Sequence, residues 1–152
     1  MVWLGVCLKK ISSLVIFDKG TVNHESYIEK VLPAALKFGN KMFGDRWIFH
    51  QDGARVHIRQ LSQQWCQDHF PDFIDKYSWP PNSPDLNPVG YCIWDEFNQA
   101  IHWDRVKSKK TLIEELKCAV KRIRPEIILQ SCNSWNVRPR HISENNGNYF
   151  GK

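Results

Sequence analysis

WPPNSPDLNPVGYCIWDEF, residues 79–97, places four prolines in the nine positions 80–88 and then passes at once into an aromatic, acidic segment. Each proline fixes its own φ, removes a backbone donor and restricts the residue before it. Residues 79–88 therefore read as a stiff arm. From residue 91 the period changes, and Ile93, Trp94, Phe97 and Ile101 fall on one side of a helix spanning 91–101. Gly90 stands at the junction. A rigid arm ending at a helix start holds whatever side chain sits there with little freedom, and here the position has none.

Upstream, residues 2–7 (VWLGVC) and 13–17 (SLVIF) are short β-branched and aromatic runs on either side of the polar pair Lys9 and Lys10, which reads as a strand pair with a turn between. Asn23 is placed to cap a helix whose apolar positions Tyr27, Ile28, Val31, Leu32, Ala35 and Phe38 repeat near 3.6, with Pro33 expected to kink it and Gly39 to stop it. Residues 47–52 read as a third strand ending in Asp52, followed by Gly53 and a helical pattern at Ile58, Leu61 and Trp65 that Pro71 terminates. A further short strand is expected at 73–77. Downstream, Thr111 and Glu114 have capping-box spacing ahead of Leu112, Ile113, Leu116, Val120 and Ile123. Pro125 ends that helix, 126–135 reads as another, and the Asn- and Gly-rich tail from Ser143 reads as irregular. Strands come first and helices last, which gives an α/β or α+β class without fixing the order of the sheet.

At 152 residues, 42% hydrophobic and with seven Trp, the chain has the size and composition of one folded domain or a piece of a larger one. No apolar run approaches the roughly 18 residues of a membrane span, and the N-terminus lacks the charge order of a secretory signal, so a soluble intracellular protein is expected. Five cysteines without a C-x-x-C pair argue against a disulfide framework or a zinc knuckle and for reduced, mostly buried thiols. Charge is unevenly placed: residues 1–97 hold 10 Lys/Arg and 11 Asp/Glu, a balance of −1, whereas 98–152 hold 11 and 5, a balance of +6. Two readings fit this asymmetry, contact with a polyanion such as DNA and a solvated helical surface.

Asp52 is the first candidate for chemistry, because an acid at the C-terminal end of a strand is pointed into a crevice by backbone geometry. A turn or cap role fits the same position. His50 and His57 flank it, but His50 shares its strand and no cysteine has matching spacing, so zinc is not favoured. A pair of Mg²⁺ ions held by carboxylates would support phosphodiester cleavage, provided acids arrive from separate elements.

FHQDGARVH (49–57) followed by the proline segment resembles the two C-terminal motifs of Tc1/mariner-type transposases, and the likeness extends through MVWLGV, FDKG and ISENNGNYF. The S-P-D-L-N-P core is the most specific of these. The resemblance implies the C-terminal part of an RNase H-like DDE/DDD catalytic domain, a mixed sheet with flanking helices, whose first and central strand is missing here. It makes Asp52 the second catalytic acid and metal ligand, and places the third acid directly after S-P-D-L-N-P-x, at Gly90. Residues 53–89, 37 of them, intervene. Asp95 and Glu96 lie about 140° and 240° around a helix from position 90 and do not replace it. His57 supports the site or contacts a phosphate, or is structural.

On this reading 1–152 is a single partial catalytic domain without the family's N-terminal helix-turn-helix. It retains one of three acids and is expected not to cut DNA alone. The family's cofactor is Mg²⁺ (or Mn²⁺), its partner is DNA of transposon terminal inverted repeats and its location is the nucleus; a homodimer is a further expectation, with the oligomeric state left open by the sequence. A different reading is a non-catalytic nucleic-acid-binding or interaction module, with Lys117, Lys121 and Arg124 at i, i+4, i+7 forming a basic stripe beside Lys109 and Lys110. Reading the gene upstream of Met1 would show whether another segment supplies the first acid.

Overall fold

The two N-terminal apolar runs do pair, but in short pieces. In the computed structural model, which describes residues 1–18, 20–81 and 83–144, β1 (Val2–Trp3) pairs antiparallel with β4 (Val15–Ile16), and β2 (Val6–Cys7) with β3 (Lys10–Ile11). Val2 faces Ile16 and Val6 faces Ile11, so two residues on one side, Leu4 and Gly5, are matched by three on the other, Ser12 to Leu14. One extra residue breaks a ladder in the manner of a bulge. Ser12 repairs the gap: its N–H donates to the Gly5 carbonyl at 2.8 Å and its Oγ accepts from the Gly5 N–H at 2.8 Å. The turn falls at Leu8 and Lys9, one residue earlier than expected, because Lys10 pairs with Cys7. The chain divides into two units, residues 1–3 with 15–83, and residues 4–14 with 84–152.

In the first unit Asn23 caps as expected, its Oδ1 accepting from the Ser26 N–H at 2.9 Å. Helix α1 (His24–Ser26) then widens into a π-turn (Tyr27–Val31) before α2 (Leu32–Phe43). The Leu32 N–H reaches back to the Tyr27 carbonyl. Pro33 is therefore absorbed by a change of helical pitch and sits in the first turn of α2, where its missing N–H costs little.

Gly39 does not stop the helix. Gly44 does, at φ 67°. Gly39 serves instead as the bed for the Trp47 ring, since a Cβ there would lie 2.4 Å from Trp47 Cε2.

Residues 47–52 form no ladder. They contribute a single parallel bridge, Phe49 to Phe73, in which the Phe49 N–H donates to the Asp72 carbonyl and the Ile74 N–H to the Phe49 carbonyl, both at 2.9 Å. The strand expected at 73–77 shrinks to that bridge because the Asp75 carboxylate accepts from the Tyr77 and Ser78 N–H groups and turns the chain.

Helix α3 (Gln60–His69) buries Ser62 and Cys66; of the apolar positions read from the sequence, Trp65 packs half-buried against the core while Ile58 and Leu61 are exposed. The core of this unit is Phe17, Tyr27, Val31, Leu32, Ala35, Cys66 and Phe70. Phe70 is wedged among Trp47 at 5.2 Å, Phe49 at 4.5 Å and Trp65 at 5.4 Å between ring centroids.

The second unit contains a 3₁₀ turn (Pro84–Leu86), a π-turn (Val89–Ile93), α4 (Trp94–Gln99), a 3₁₀ turn (Trp103–Arg105), α5 (Lys109–Arg122), α6 (Pro125–Ser134) and α7 (Arg138–Glu144). Helix α6 packs on β2 and β3. Ile93, Phe97 and Ile101 are buried as the period required.

Helix α5 begins a turn earlier than expected, capped by Ser108, whose Oγ accepts from the Thr111 N–H while Thr111 Oγ1 accepts from the Ser108 N–H. Of the expected irregular tail, Ser143 and Glu144 belong to α7, and 145–152 lie outside the described residues.

Glu115 is a charged group the sequence did not mark as internal. It is 6% exposed, paired with Arg122, and accepts from the His102 N–H at 2.9 Å. The Arg122 hydrogen bond, then the His102 N–H, push its carboxyl down to about 2 from an ordinary 4.5. A depressed folded-state value means the stabilisation is complete above about pH 4.5 and is lost as pH falls towards about 2. Urea midpoints followed through that window should therefore fall more steeply for the wild type than for Glu115→Gln. Parallel curves would show that the pair adds nothing.

All five cysteines are free. Cys66 alone is fully buried, Cys7, Cys92 and Cys132 are half-buried and Cys118 is exposed, so the expectation of mostly buried thiols holds for one of them. No helix among the described residues is long and apolar enough to cross a membrane.

Candidate active site

Residues 51–57 form a loop closed on itself by its own side chains. Asp52 Oδ1 accepts from the Ala54 N–H at 3.1 Å, and the Ala54 carbonyl accepts from the His57 N–H at 2.8 Å. His57 Nδ1 lies 2.8 Å from Asp52 Oδ1 and 3.1 Å from the Asp52 carbonyl. The Q-D-x-A-x-x-H spacing thus has a physical cause: a tight Asx turn brings the fifth residue after the acid back onto its carboxylate. Asp52 is 45% exposed and His57 17%, so the imidazole is sheltered and the carboxylate faces outward.

Three residues that sequence reading did not place at the site, Gln51, Gln63 and Tyr27, hold this loop. Gln51 is 8% exposed, and its Oε1 accepts from the buried Tyr27 hydroxyl at 2.5 Å. Its Nε2 and that of Gln63 both donate to the His57 carbonyl, at 3.4 and 2.9 Å. Tyr27 also places its ring 4.8 Å from the His57 ring. Burial, with Cys66 and Asp52 adding to it, holds the Tyr27 phenol well above its usual range, so it remains a donor. A signal was present: Gln51 follows Trp47 and Phe49 at alternate positions, and a polar residue in an inward-facing register needs an internal partner. His50, on the other register, stacks on Trp79 at 5.3 Å and 10°, and burial lowers its imidazole below the ordinary value against the pull of Asp52.

The proline arm ends in a helix start built by Asn87 and Pro88. Asn87 Oδ1 accepts from the Val89 N–H at 3.1 Å, and its carbonyl accepts from the N–H groups of Gly90 at 2.8 Å and Tyr91 at 3.0 Å. Pro88 sits at the entry to the first turn, where a proline is tolerated.

Tyr91 is anchored from two sides. Its hydroxyl donates to the Ser131 carbonyl at 2.5 Å, and the Arg138 guanidinium stacks 3.6 Å over its ring while Nη1 donates to the Asp85 carbonyl at 2.9 Å. Gly90, one residue before this anchor, is half-buried and has no positive φ. A Cβ there would meet Pro84 O at 3.4 Å and Asn87 Cβ at 3.8 Å, which is ordinary contact. Neither backbone conformation nor crowding requires glycine at 90.

Lys109, Lys110, Lys117, Lys121 and Arg124 are all exposed. Lys110, Lys117 and Lys121 fall within about 40° on α5, at 100° per residue, with Glu114 among them. Arg124 leaves the expected stripe, because Ile123 at ψ 123° ends the helix and Arg124 becomes the first residue of the next cap. Lys110 takes its place. Lys109 lies about 100° round the helix from Lys110.

Among the described residues no group of three His, Cys, Asp or Glu side chains is arranged to hold a metal ion. Asp52 offers a single carboxylate with one oxygen already engaged by His57 and the Ala54 N–H. A hard divalent cation seeks several oxygen ligands, so the residues described do not fit a two-ion site.

No protein-family model matches the chain. It is 26% identical over 113 residues to the transposase of transposable element Tcb1 from Caenorhabditis briggsae, covering 74% of this chain and 39% of that protein. It is also 26% identical over 74 residues to the Tcb2 transposase of the same organism, covering 49% and 26%. The fold superposes on the catalytic domain of the Mos1 mariner transposase with a TM-score of 0.80 at 17% identity, covering 98% of this chain and 74% of that one.

The homologues of this chain are Tc1/mariner transposases. Mos1 catalytic-domain structures with raltegravir and Mn or Mg match with TM-scores of 0.80 and 0.79, both at 18% identity and covering 98% of this chain and 76% of theirs. The Mos1 paired-end complex with the left transposon end matches at 0.80 and 18% identity, over 97% of this chain and 43% of that one. At these identities the likeness to Mos1 is one of fold, the RNase H-like fold expected from the motifs. The chain spans less than half the length of either Tc1/mariner relative.

Proposed function

We propose that this chain is part of the catalytic domain of a Tc1/mariner-type transposase and is inactive in DNA cleavage as it stands. In this reading 1–152 is one partial domain and Asp52 occupies the position of the second catalytic acid, with His57 as its positioning partner. Position 90 is that of the third acid, now lost. The observation that carries the proposal is Gly90: it sits at a helix start held by Asn87, in a conformation that needs no glycine, with room for a Cβ. The ancestral activity is metal-dependent cleavage and strand transfer of transposon ends. With one carboxylate in place of a cluster, divalent-metal binding is weak or absent and stabilisation of a phosphoryl transition state is largely gone.

The test is a nicking assay on supercoiled plasmid and on terminal-repeat DNA in Mg²⁺ and in Mn²⁺. No cleavage above the no-protein rate is expected, and robust cleavage abolished by Asp52→Ala would overturn the inactive reading.

A second reading, a DNA-binding or interaction module retained without catalysis, is favoured by the exposed Lys110, Lys117 and Lys121 row on α5. Binding through that row falls steeply with salt, and salt-independent retention on DNA would count against it. Homodimerisation and nuclear location belong to the same proposal. Sedimentation equilibrium showing only monomer, or a tagged chain excluded from nuclei, would remove them.

A further inference from the structure

The loop between α4 and α5 holds an exposed indole in a fixed place. Trp103 is 56% exposed, in a 3₁₀ turn closed by the Arg105 N–H donating to the His102 carbonyl at 3.0 Å and the Val106 N–H donating to the Trp103 carbonyl at 3.1 Å. Side chains of α5 pin the backbone on both sides of it. Arg122 Nη1 donates to the Ala100 carbonyl at 2.9 Å, buried Glu115 accepts from the His102 N–H at 2.9 Å, and Thr111 Oγ1 accepts from the Lys107 N–H at 2.9 Å. A single exposed apolar residue is ordinary. One whose backbone is fixed by an internal carboxylate–guanidinium pair, and whose ring still faces water, is preorganised for a flat partner.

Charge selects the partner. Residues 102–110 carry Arg105, Lys107, Lys109 and Lys110 against Asp104, a balance of +3 in nine residues, and all five are exposed. An indole face beside exposed cations matches a nucleobase with its flanking phosphates. A base within a duplex already has both faces stacked, so the ring is offered to an unpaired one.

We propose that Trp103 is a stacking platform for an unpaired base of single-stranded DNA, with Arg105, Lys107 and Lys110 on the neighbouring phosphates. This rests on the reading that the chain contacts DNA and adds a preference to it. The phenyl ring of Trp103→Phe keeps a π-face, while Trp103→Ala removes it.

The experiment is fluorescence anisotropy with a labelled 20-nucleotide single strand, and with its duplex, in low salt. Trp103→Ala is expected to weaken single-strand binding on the order of tenfold, to leave duplex binding within about twofold, and to be largely rescued by phenylalanine. The Trp103 indole N–H resonance of the wild-type protein is a second readout independent of any variant's folding, and it should shift with single strand and not with duplex. Equal weakening of both DNA forms, or of neither, together with an unmoved resonance, overturns the stacking proposal while leaving DNA contact intact. No binding of either form by the wild type overturns both. Dimerisation that buries the Trp103 ring also overturns it.

Discussion

Gly39→Ala is expected to lower stability by roughly 1–3 kcal/mol, although alanine in a helix interior ordinarily gains about 1 kcal/mol over glycine. The sign decides the matter. Gly39 lies within α2, and a Cβ there would come to 2.4, 2.5 and 2.6 Å from three atoms of the Trp47 indole. The ring has little room to withdraw: it packs edge-on against Phe70 at 5.2 Å, and its Nε1–H donates to Asn40 Oδ1 at 3.0 Å and to the Gly44 carbonyl at 3.1 Å. Moving it disturbs the residues that lead into Phe49 and Asp52. Chemical denaturation of Gly39→Ala beside an exposed control, Lys37→Ala, measures the effect. A gain at residue 39 similar to that at a solvent-facing helix site would show that Trp47 does not rest on α2.

Along the second π-turn, two substitutions three positions apart are expected to differ by several kcal/mol. Ile93 is 0% exposed, and Ile93→Ala should cost about 2–5 kcal/mol through lost burial and the cavity left behind. Gly90→Asp should leave stability unchanged or raise it by up to about 1 kcal/mol, because a residue other than glycine restricts the unfolded chain and a carboxylate in a first turn suits the helix dipole. Its Cβ meets only ordinary contacts. Urea midpoints of the two variants provide the measurement. A Gly90→Asp variant that unfolds as readily as Ile93→Ala would mean that glycine is structural at 90, which removes the main support for a lost acid. Tolerance without regained cleavage fits the proposed reading, in which one restored carboxylate still leaves the set incomplete.

Much of the candidate site was legible beforehand. Asp52 and the arm ending at Gly90 were marked by local chemistry, an acid before a glycine turn and prolines ahead of an aromatic helix. Local hydrogen bonds between near neighbours realise both of these, and near neighbours are what a sequence displays. Local chemistry noted His57 only as flanking the acid, and its return onto the Asp52 carboxylate was not foreseen. Tyr27 was read only as a helix-face residue, and its hydroxyl contact to Gln51 spans 24 positions. The Arg138 stack on Tyr91 joins residues 47 apart in the sequence and was not foreseen. Arg124 was wrongly placed in the basic stripe because the period was carried through Ile123, where the backbone turns extended.

By itself, the sequence determined the mixed class, the proline arm, the Asn23 cap and the apolar face of 91–101, since propensity, proline geometry and short-range hydrogen bonding decide these within a few residues. Only the tertiary structure decided that Pro33 is absorbed by a π-turn, that Gly39 seats Trp47, that 47–52 keeps a single bridge, and that Glu115 is internal. Each depends on which distant group arrives to fill a space or satisfy a buried polar atom. That information lies in packing and not in the local order of residues.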